Sequence, residues 1–74
     1  MEKVEIGKIY CHFKGFEVEI LNIALDSETL EKIIVYKHNG TDEIWTRPEK
    51  MFFESVSTNR KDNITGQSVR FKLI

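Results

Sequence analysis

The sequence predicts a small all-β protein, a barrel or roll of five to six short antiparallel strands with one 3₁₀ turn. Apolar residues alternate with period two in several short runs, which is typical of strands with one buried face. Glycines and polar clusters separate these runs at close spacing. No apolar pattern is long enough for a full helix. Closing the sheet would also remove exposed strand edges.

The first predicted strand covers residues 7–13. Ile9, Cys11 and Phe13 share one face, and Lys8, Tyr10 and His12 share the other. We expect the first set to face the core, with Cys11 as a small core residue. The second set then points outward or into a groove. A turn at Lys14-Gly15 follows.

The second strand changes phase. Its apolar residues occupy even positions first (Phe16, Val18, Ile20) and odd positions afterwards (Leu21, Ile23, Leu25). Since a shift of one residue moves every side chain to the other face, the sequence predicts a bulge or sharp bend near residues 20–21.

The third strand contains the β-branched run at residues 33–36, with apolar side chains on both faces, which favours a central strand. Residues 27–32 alone could also form a helical turn. Asn39-Gly40 is a strong hairpin signal, since both residue types tolerate positive φ. Residues 33–36 are therefore predicted to pair with residues 43–47.

Pro48 cannot donate to a ladder and suits the first position of a helical turn, which we expect to be 3₁₀ over residues 49–52. A short strand over 53–56 and a polar, mobile loop over 57–68 follow. Val69, Phe71 and Leu73 alternate with basic residues and predict a closing strand. Residues 1–74 are predicted to form a single domain.

Composition limits the class of protein. The chain has 74 residues, a net charge of −1 and one cysteine, so it has no internal disulfide. Its charged first residues lack the apolar core of a signal peptide, and no apolar run approaches the roughly 20 residues of a membrane span. We therefore expect a cytoplasmic protein. Residues 26–54 carry a net charge of −3 and residues 57–74 one of +3. The tail either folds back on the acidic body or forms a small basic patch.

Catalytic and metal-binding patterns are weak. Cys11 and His12 are adjacent and point to opposite faces of a strand, so they cannot form a nucleophile–base pair. His12 is the best candidate for a titrating group. A hydrolase using His12 with Glu49 or Glu54 would need a pocket that joins them. A structural zinc site wants four ligands, and the soft ligands are Cys11, His12 and His38. We expect no metal, no cofactor and no catalytic site.

The aromatic residues give the strongest functional indication. Tyr10, Tyr36 and Trp45 combine a ring with a polar group and are typical of half-buried recognition surfaces. With His12, Lys14 and Arg47 they form the predicted ligand- or partner-binding site. The alternative is that a small barrel needs large side chains as filling. Phe13, Phe16, Phe53 and Phe71 are assigned to the core.

Several segments resemble a known family. They are Tyr10-Cys11-His12-Phe13-Lys14-Gly15, Ser27-Glu28-Thr29-Leu30-Glu31, Val35-Tyr36, Trp45-Thr46-Arg47-Pro48, Met51-Phe52-Phe53-Glu54 and Arg70-Phe71-Lys72-Leu73-Ile74. Over about residues 6–56 and 69–74 the chain resembles the small bacterial family catalogued as domain of unknown function 1653. The resemblance implies an SH3-like β-barrel and supplies no established activity.

The leading functional hypothesis is a non-enzymatic binding module that holds a peptide or protein partner in an aromatic groove. The alternative is a small β-barrel that binds nucleic acid. That alternative requires a cluster of the basic residues Arg47, Arg60, Lys61, Arg70 and Lys72, and the net charge of −1 argues against it. No membrane partner is expected, and the oligomeric state stays open.

Overall fold

Five antiparallel strands form one sheet. The computed structural model describes residues 4–74. The strands are β1 (Ile9–His12), β2 (Glu17–Leu25), β3 (Lys32–His38), β4 (Ile44–Pro48) and β5 (Phe71–Leu73), and their order in the sheet is β4-β3-β2-β1-β5. One short helix, α1 (Glu49–Phe52), follows β4. The predicted all-β class is confirmed. In the described residues, no helix is long and apolar enough to cross a membrane.

The predicted bulge in β2 is confirmed. Pairing between β2 and β3 shifts register between Ile20 and Asn22, so Leu21 is left without a partner residue. Before the bulge, Ile20 opposes Tyr36, and after it Ile23 opposes Ile34. The inward face of β2 therefore changes from even to odd positions while the core face of β3 stays continuous.

The hairpin at Asn39-Gly40 is also confirmed. β3 pairs with β4, and Tyr36 opposes Trp45. Gly40 has a φ of +89° and the Thr41 N–H donates to the His38 carbonyl over 3.0 Å. β3 lies between β4 and β2, as expected of a central strand.

The segment after β4 differs in detail from the prediction. Residues 49–52 form one turn of α-helix instead of a 3₁₀ turn, and Pro48 is the last residue of β4 instead of the first of the turn. Pro48 is tolerated there because β4 is an edge strand. The predicted strand over 53–56 is reduced to an isolated bridge between Ser55 and Val69.

The core lies on the concave face of the sheet, beneath α1. Its buried apolar side chains are Val4, Tyr10, Phe13, Val18, Ile20, Ile34, Tyr36, Phe52 and Phe71. Phe52 brings α1 into the core, since its ring stacks on Phe71 at 4.2 Å and meets Tyr36 edge-on at 5.7 Å. The Arg47 side chain of β4 reaches β5, since its guanidinium lies 5.8 Å from the centre of the Phe71 ring. Within residues 4–74 the two edges form no ladder. The SH3-like description stays a prediction.

The prediction for the faces of β1 is wrong. Tyr10 and His12 face the core and are 1% and 4% exposed, while Ile9 and Cys11 are only partly buried. Both faces of this strand carry apolar groups, so alternation alone could not choose between them. In the folded chain the core face of β1 is the one that carries the large Tyr10 ring, which packs against Phe52 and Phe53.

The phenylalanines assigned to the core follow two patterns. Phe13 and Phe71 are buried, whereas Phe16 and Phe53 are partly buried and pack against the core from its margin.

The polar segment over 57–68 contains turns and packs on the end of β1 and the turn that follows it. The Ile64 N–H donates to the Phe13 carbonyl over 2.8 Å, and Asp62 pairs with Lys14. Gln67 is buried, and its amide nitrogen donates to the carbonyls of Cys11, Val69 and Arg70 at 2.9, 2.9 and 3.2 Å. Its mobility stays a prediction. The basic tail does contact the acidic body, since Arg70 pairs with Glu54.

Candidate functional site

One end of the sheet collects the side chains with functional potential. β1 and β3 end there, and β2 and β4 begin there, so the turns over 13–16 and 39–43 are neighbours. The Asn39 N–H donates to the Glu17 carbonyl over 2.9 Å and joins the two turns. Residues far apart in sequence therefore meet at this end.

The 13–16 turn places Phe16 on His12. The His12 N–H donates to the Phe16 carbonyl and the Gly15 N–H to the His12 carbonyl, both over 2.8 Å. This closure needs a φ of +96° at Gly15, which glycine adopts without a steric penalty. The two rings then stack at 4.4 Å, only 10° from parallel.

Four rings form a continuous row, which we call the aromatic row: His12, Phe16, His38 and Trp45. Phe16 stacks on His38 at 4.7 Å and 11°, and His38 meets Trp45 at 5.8 Å and 44°. The row begins at buried His12 and ends at Trp45, which is 48% exposed. It is therefore a surface supported from inside the fold.

His12 is held as a neutral imidazole. Its Nδ1 accepts the backbone N–H of Lys14 over 3.1 Å, so its own proton lies on Nε2. Burial, followed by the positive charges of Arg47, Arg70, Lys14 and His38 in that order, lowers the pKa of His12 to about 4. The surroundings of His12 therefore have a positive potential.

Arg47 contributes to this potential without a counter-ion. Its guanidinium lies over Phe71, and its buried Nε has no hydrogen-bond partner. No carboxylate of residues 4–74 lies at ion-pair distance from it, whereas Arg70 pairs with Glu54 and Lys14 with Asp62. Arg47 and Trp45 share the face of β4 that opposes Ile34 and Tyr36.

The structure divides the predicted site residues into two groups. Tyr10 and Tyr36 belong to the core, so the prediction that they form a half-buried recognition surface is wrong. The Tyr10 hydroxyl accepts the Glu5 N–H over 3.1 Å. Lys14 and Trp45 lie at the end of the sheet described above. Arg47 lies further along β4, opposite Ile34, and its charge still lowers the pKa of buried His12.

Two members of the aromatic row were missed as site residues. Phe16 was assigned to the core, and His38 was considered only as a metal ligand. His38 shares the inward face of Tyr36 and opposes Val18. The pattern of apolar residues in β2 predicts the bulge, but the position of His38 follows only when β2 and β3 are paired in the correct register.

Cys11 has no catalytic partner here. It is partly buried on the opposite face of β1, and its Sγ donates to the His12 carbonyl at 3.4 Å. Burial, followed by the charge of Glu17, raises the pKa of the Cys11 thiol. Among the described residues, no group of three or more metal-ligating side chains comes together.

A separate cavity of about 650 Å³ lies beside β5. Phe53, residues 66–69 and Phe71–Leu73 line most of it, and it shares no residue with the aromatic row. Its walls carry one charged side chain, Lys72. This cavity therefore offers fewer charged and titratable side chains than the end of the sheet that carries the aromatic row.

Comparison with known proteins identifies the family. A family model described as a protein of unknown function, DUF1653, matches residues 8–73. The chain belongs to the DUF1653 family. The predicted resemblance is thereby confirmed. No curated protein matches this DUF1653 chain.

A solved DUF1653 structure has a similar fold. The crystal structure of a DUF1653 protein from Bordetella bronchiseptica is 27% identical in sequence, with a TM-score of 0.75. The match covers 100% of this chain and 91% of that one. The DUF1653 description assigns no activity, so function has to be argued from the geometry above.

Proposed function

We propose that this DUF1653 protein is a non-enzymatic binding module that holds a peptide segment of a partner against the aromatic row and Arg47. The observation that carries the proposal is the stack of four rings that runs from buried His12 to exposed Trp45. We expect it to act in the cytoplasm, where its single thiol is compatible with a reducing environment.

The row suits recognition because it is already ordered. Phe16 and His38 are held between neighbouring rings, so a ligand that stacks on the exposed end need not immobilise them. Rigid aromatic groups provide contact area at low entropic cost. The exposed fraction of Trp45 supplies the apolar contact, and the partly exposed Arg47 supplies a polar one.

The chemistry of His12 supports binding rather than catalysis. An imidazole with a pKa of about 4 is a weak base, and its Nδ1 is already occupied by the Lys14 N–H. Glu54, one of the carboxylates considered as its partner, pairs with Arg70 instead.

A peptide library displayed on phage tests the proposal, with Trp45→Ala as the key variant. Because Trp45 is half exposed, this variant should fold, and selected peptides should bind it at least about tenfold more weakly. Ile44→Ala removes a neighbouring apolar side chain that is 64% exposed and should retain binding. Trp45 fluorescence of the wild type reports contact directly. Failure to select any peptide, or equal binding to Trp45→Ala, would refute the proposed surface.

Single-stranded nucleic acid is a second candidate, because stacked rings flanked by cations are typical of such sites. Arg47 and Arg70 both act on His12, and Arg60 and Arg70 lie 5.0 and 5.9 Å from the centre of Phe13. However, Arg60 pairs with Asp62 and Arg70 with Glu54. Binding of an oligonucleotide that weakens steeply with salt would favour this candidate.

A further inference from the structure

We propose that Arg47 is a carboxylate-binding residue, and that the partner presents an acidic group to it next to the apolar or planar group that stacks on Trp45. The inference rests on the binding function proposed above and specifies the chemistry of the partner. It starts from a feature of the site that the contacts within residues 4–74 leave unexplained, the lack of a carboxylate partner for Arg47 among those residues.

Arg47 differs from the other partly buried or ring-stacked arginines. Arg60 and Arg70 also lie over an aromatic ring, and each has a carboxylate partner. Arg47 lies over Phe71 with no carboxylate partner among residues 4–74. Its buried Nε has no hydrogen-bond partner, which is also true of the Arg70 Nε, so the missing carboxylate is what distinguishes Arg47. Guanidinium groups withdrawn from water are ordinarily paired, because the loss of hydration is otherwise uncompensated. Arg47 as a whole is only partly buried, so a ligand carboxylate that reaches its exposed part would supply the missing counter-charge.

The neighbouring charges make this position suitable for an anion. The His12 pKa is lowered by three nearby positive charges, those of Arg47, Arg70 and Lys14, so their potentials overlap at this imidazole. Glu54 pairs with Arg70, and the single carboxylate of Asp62 is shared between Lys14 and Arg60, whereas Arg47 has no carboxylate partner among residues 4–74. The local potential is therefore positive in a chain whose net charge is −1.

A single carboxylate fits better than a polyanion. One guanidinium forms a planar fork that matches one carboxylate in bidentate geometry. The turn over 39–43 leads into β4 and carries Asp42 and Glu43, which would repel a chain of phosphates that extends from Arg47 past Trp45. Trp45 lies two residues from Arg47 on the same strand face, which places a stacking surface beside the fork.

Nuclear magnetic resonance of the arginine Nε–H groups tests the inference on the wild-type chain. Sodium acetate and sodium phosphate are titrated at pH 7 and matched ionic strength. Acetate should shift the Arg47 Nε–H at a concentration at least about tenfold below that needed for Arg60. A hydrogen bond to a charged group is stronger by about this factor in affinity than a solvent-screened contact with an exposed arginine that already has a carboxylate partner. A stronger response to phosphate than to acetate, or equal responses of Arg47 and Arg60, overturns the inference.

Matched dipeptides then identify the source of the carboxylate. The probes are acetyl-Trp-Glu-amide, acetyl-Trp-Gln-amide and acetyl-Gln-Trp with a free carboxyl end. The first or third should shift the Arg47 Nε–H and the Trp45 indole together, and the second should bind at least about tenfold more weakly. The stronger of the two acidic probes distinguishes a side chain from a chain terminus. Equal binding of all three overturns the inference.

Variants separate this inference from the proposed function. Arg47→Lys keeps the charge and loses the fork, so the acidic dipeptides should shift its Trp45 indole only at a concentration at least about tenfold higher than in the wild type. Arg60→Gln should retain the wild-type response of the Trp45 indole. If phage-selected peptides bind through Trp45 but bind equally to Arg47→Gln, the binding module stands and the carboxylate site is refuted. If no selected peptide contacts Trp45 while acetate still binds Arg47, the proposed function fails instead.

Discussion

At the scale of single residues, His12 combines features that seldom occur together. It is a buried histidine that packs between Phe13 and Phe16 and is surrounded by cations instead of a carboxylate. Its neutral form is the one compatible with the fold, because burial and the nearby charges both oppose protonation. His12 therefore links the stability of the protein to pH.

Acidification should destabilise the protein as His12 takes up its proton. The pKa of His12 is about 4 in the folded chain, against 6.5 for an unperturbed histidine, so the unfolded chain binds more protons between these values. The stability is therefore complete above pH 6.5 and falls as the pH drops towards 4, by up to about 3 kcal/mol. Denaturant titrations at pH 7 and about pH 4.5 measure the fall.

A variant isolates the contribution of His12 from that of the carboxylates. His12→Gln should show a smaller loss of stability over the same window. His38→Gln should retain most of the loss, since burial and the two arginines, the larger causes of the His12 pKa shift, stay in place. A His12 imidazole whose resonances titrate with a midpoint above about pH 6 in the folded chain would contradict this account.

At the scale of elements, the short helix α1 has an influence out of proportion to its four residues. Such a helix is not stable by itself, and it is held by the Phe52 ring, which is fully buried against Tyr10, Tyr36 and Phe71. Its packing covers the core face of the sheet. The aromatic row therefore rests on a layer that α1 completes.

Replacing Phe52 should be far more damaging than replacing the next residue. Phe52→Ala removes a completely buried ring and should lower the free energy of unfolding by about 3–5 kcal/mol. Phe53→Ala, whose ring is only partly buried at the margin of the core, should cost less than half as much. Urea denaturation followed by Trp45 fluorescence compares them, and equal losses would contradict the assigned positions.

At the scale of the whole molecule, one side chain joins segments that are distant in sequence. The Gln67 amide connects the polar segment over 57–68 to the carbonyl of Cys11 in β1 and to the approach to β5. Its Oε1 accepts the Thr65 hydroxyl over 2.7 Å, so the group is satisfied on both sides. A buried amide of this kind holds the edge strand β5 in place next to β1.

Loss of the Gln67 amide should weaken the attachment of β5. Gln67→Ala leaves buried carbonyls without a donor and should destabilise the protein by about 1–3 kcal/mol. Amide hydrogen exchange should accelerate first in Phe71–Leu73. Asn39→Ala removes an exposed side-chain contact to Glu17 and should cost less than about 0.5 kcal/mol. Exchange that accelerates uniformly over the sheet would refute a local role for Gln67.

The sequence by itself determined the elements that depend on neighbouring residues. Alternation located β1, β2 and β5, and the β-branched run located β3. The phase change in apolar residues located the bulge in β2, and Asn39-Gly40 located the hairpin. These features follow from the pleat of a strand and from backbone sterics, which act over a few residues. The family could be named from the same short segments.

Only the tertiary structure decided which face of β1 points inward and which residues meet at the end of the sheet. Tyr10 and His12 became buried, and Phe16, His38 and Trp45 joined into one row, because the register between strands and the shape of the concave face select among patterns that are locally equivalent. The lack of a carboxylate partner for Arg47 among residues 4–74 is equally non-local. It depends on where every carboxylate of the folded chain comes to lie, and periodicity carries no information about that.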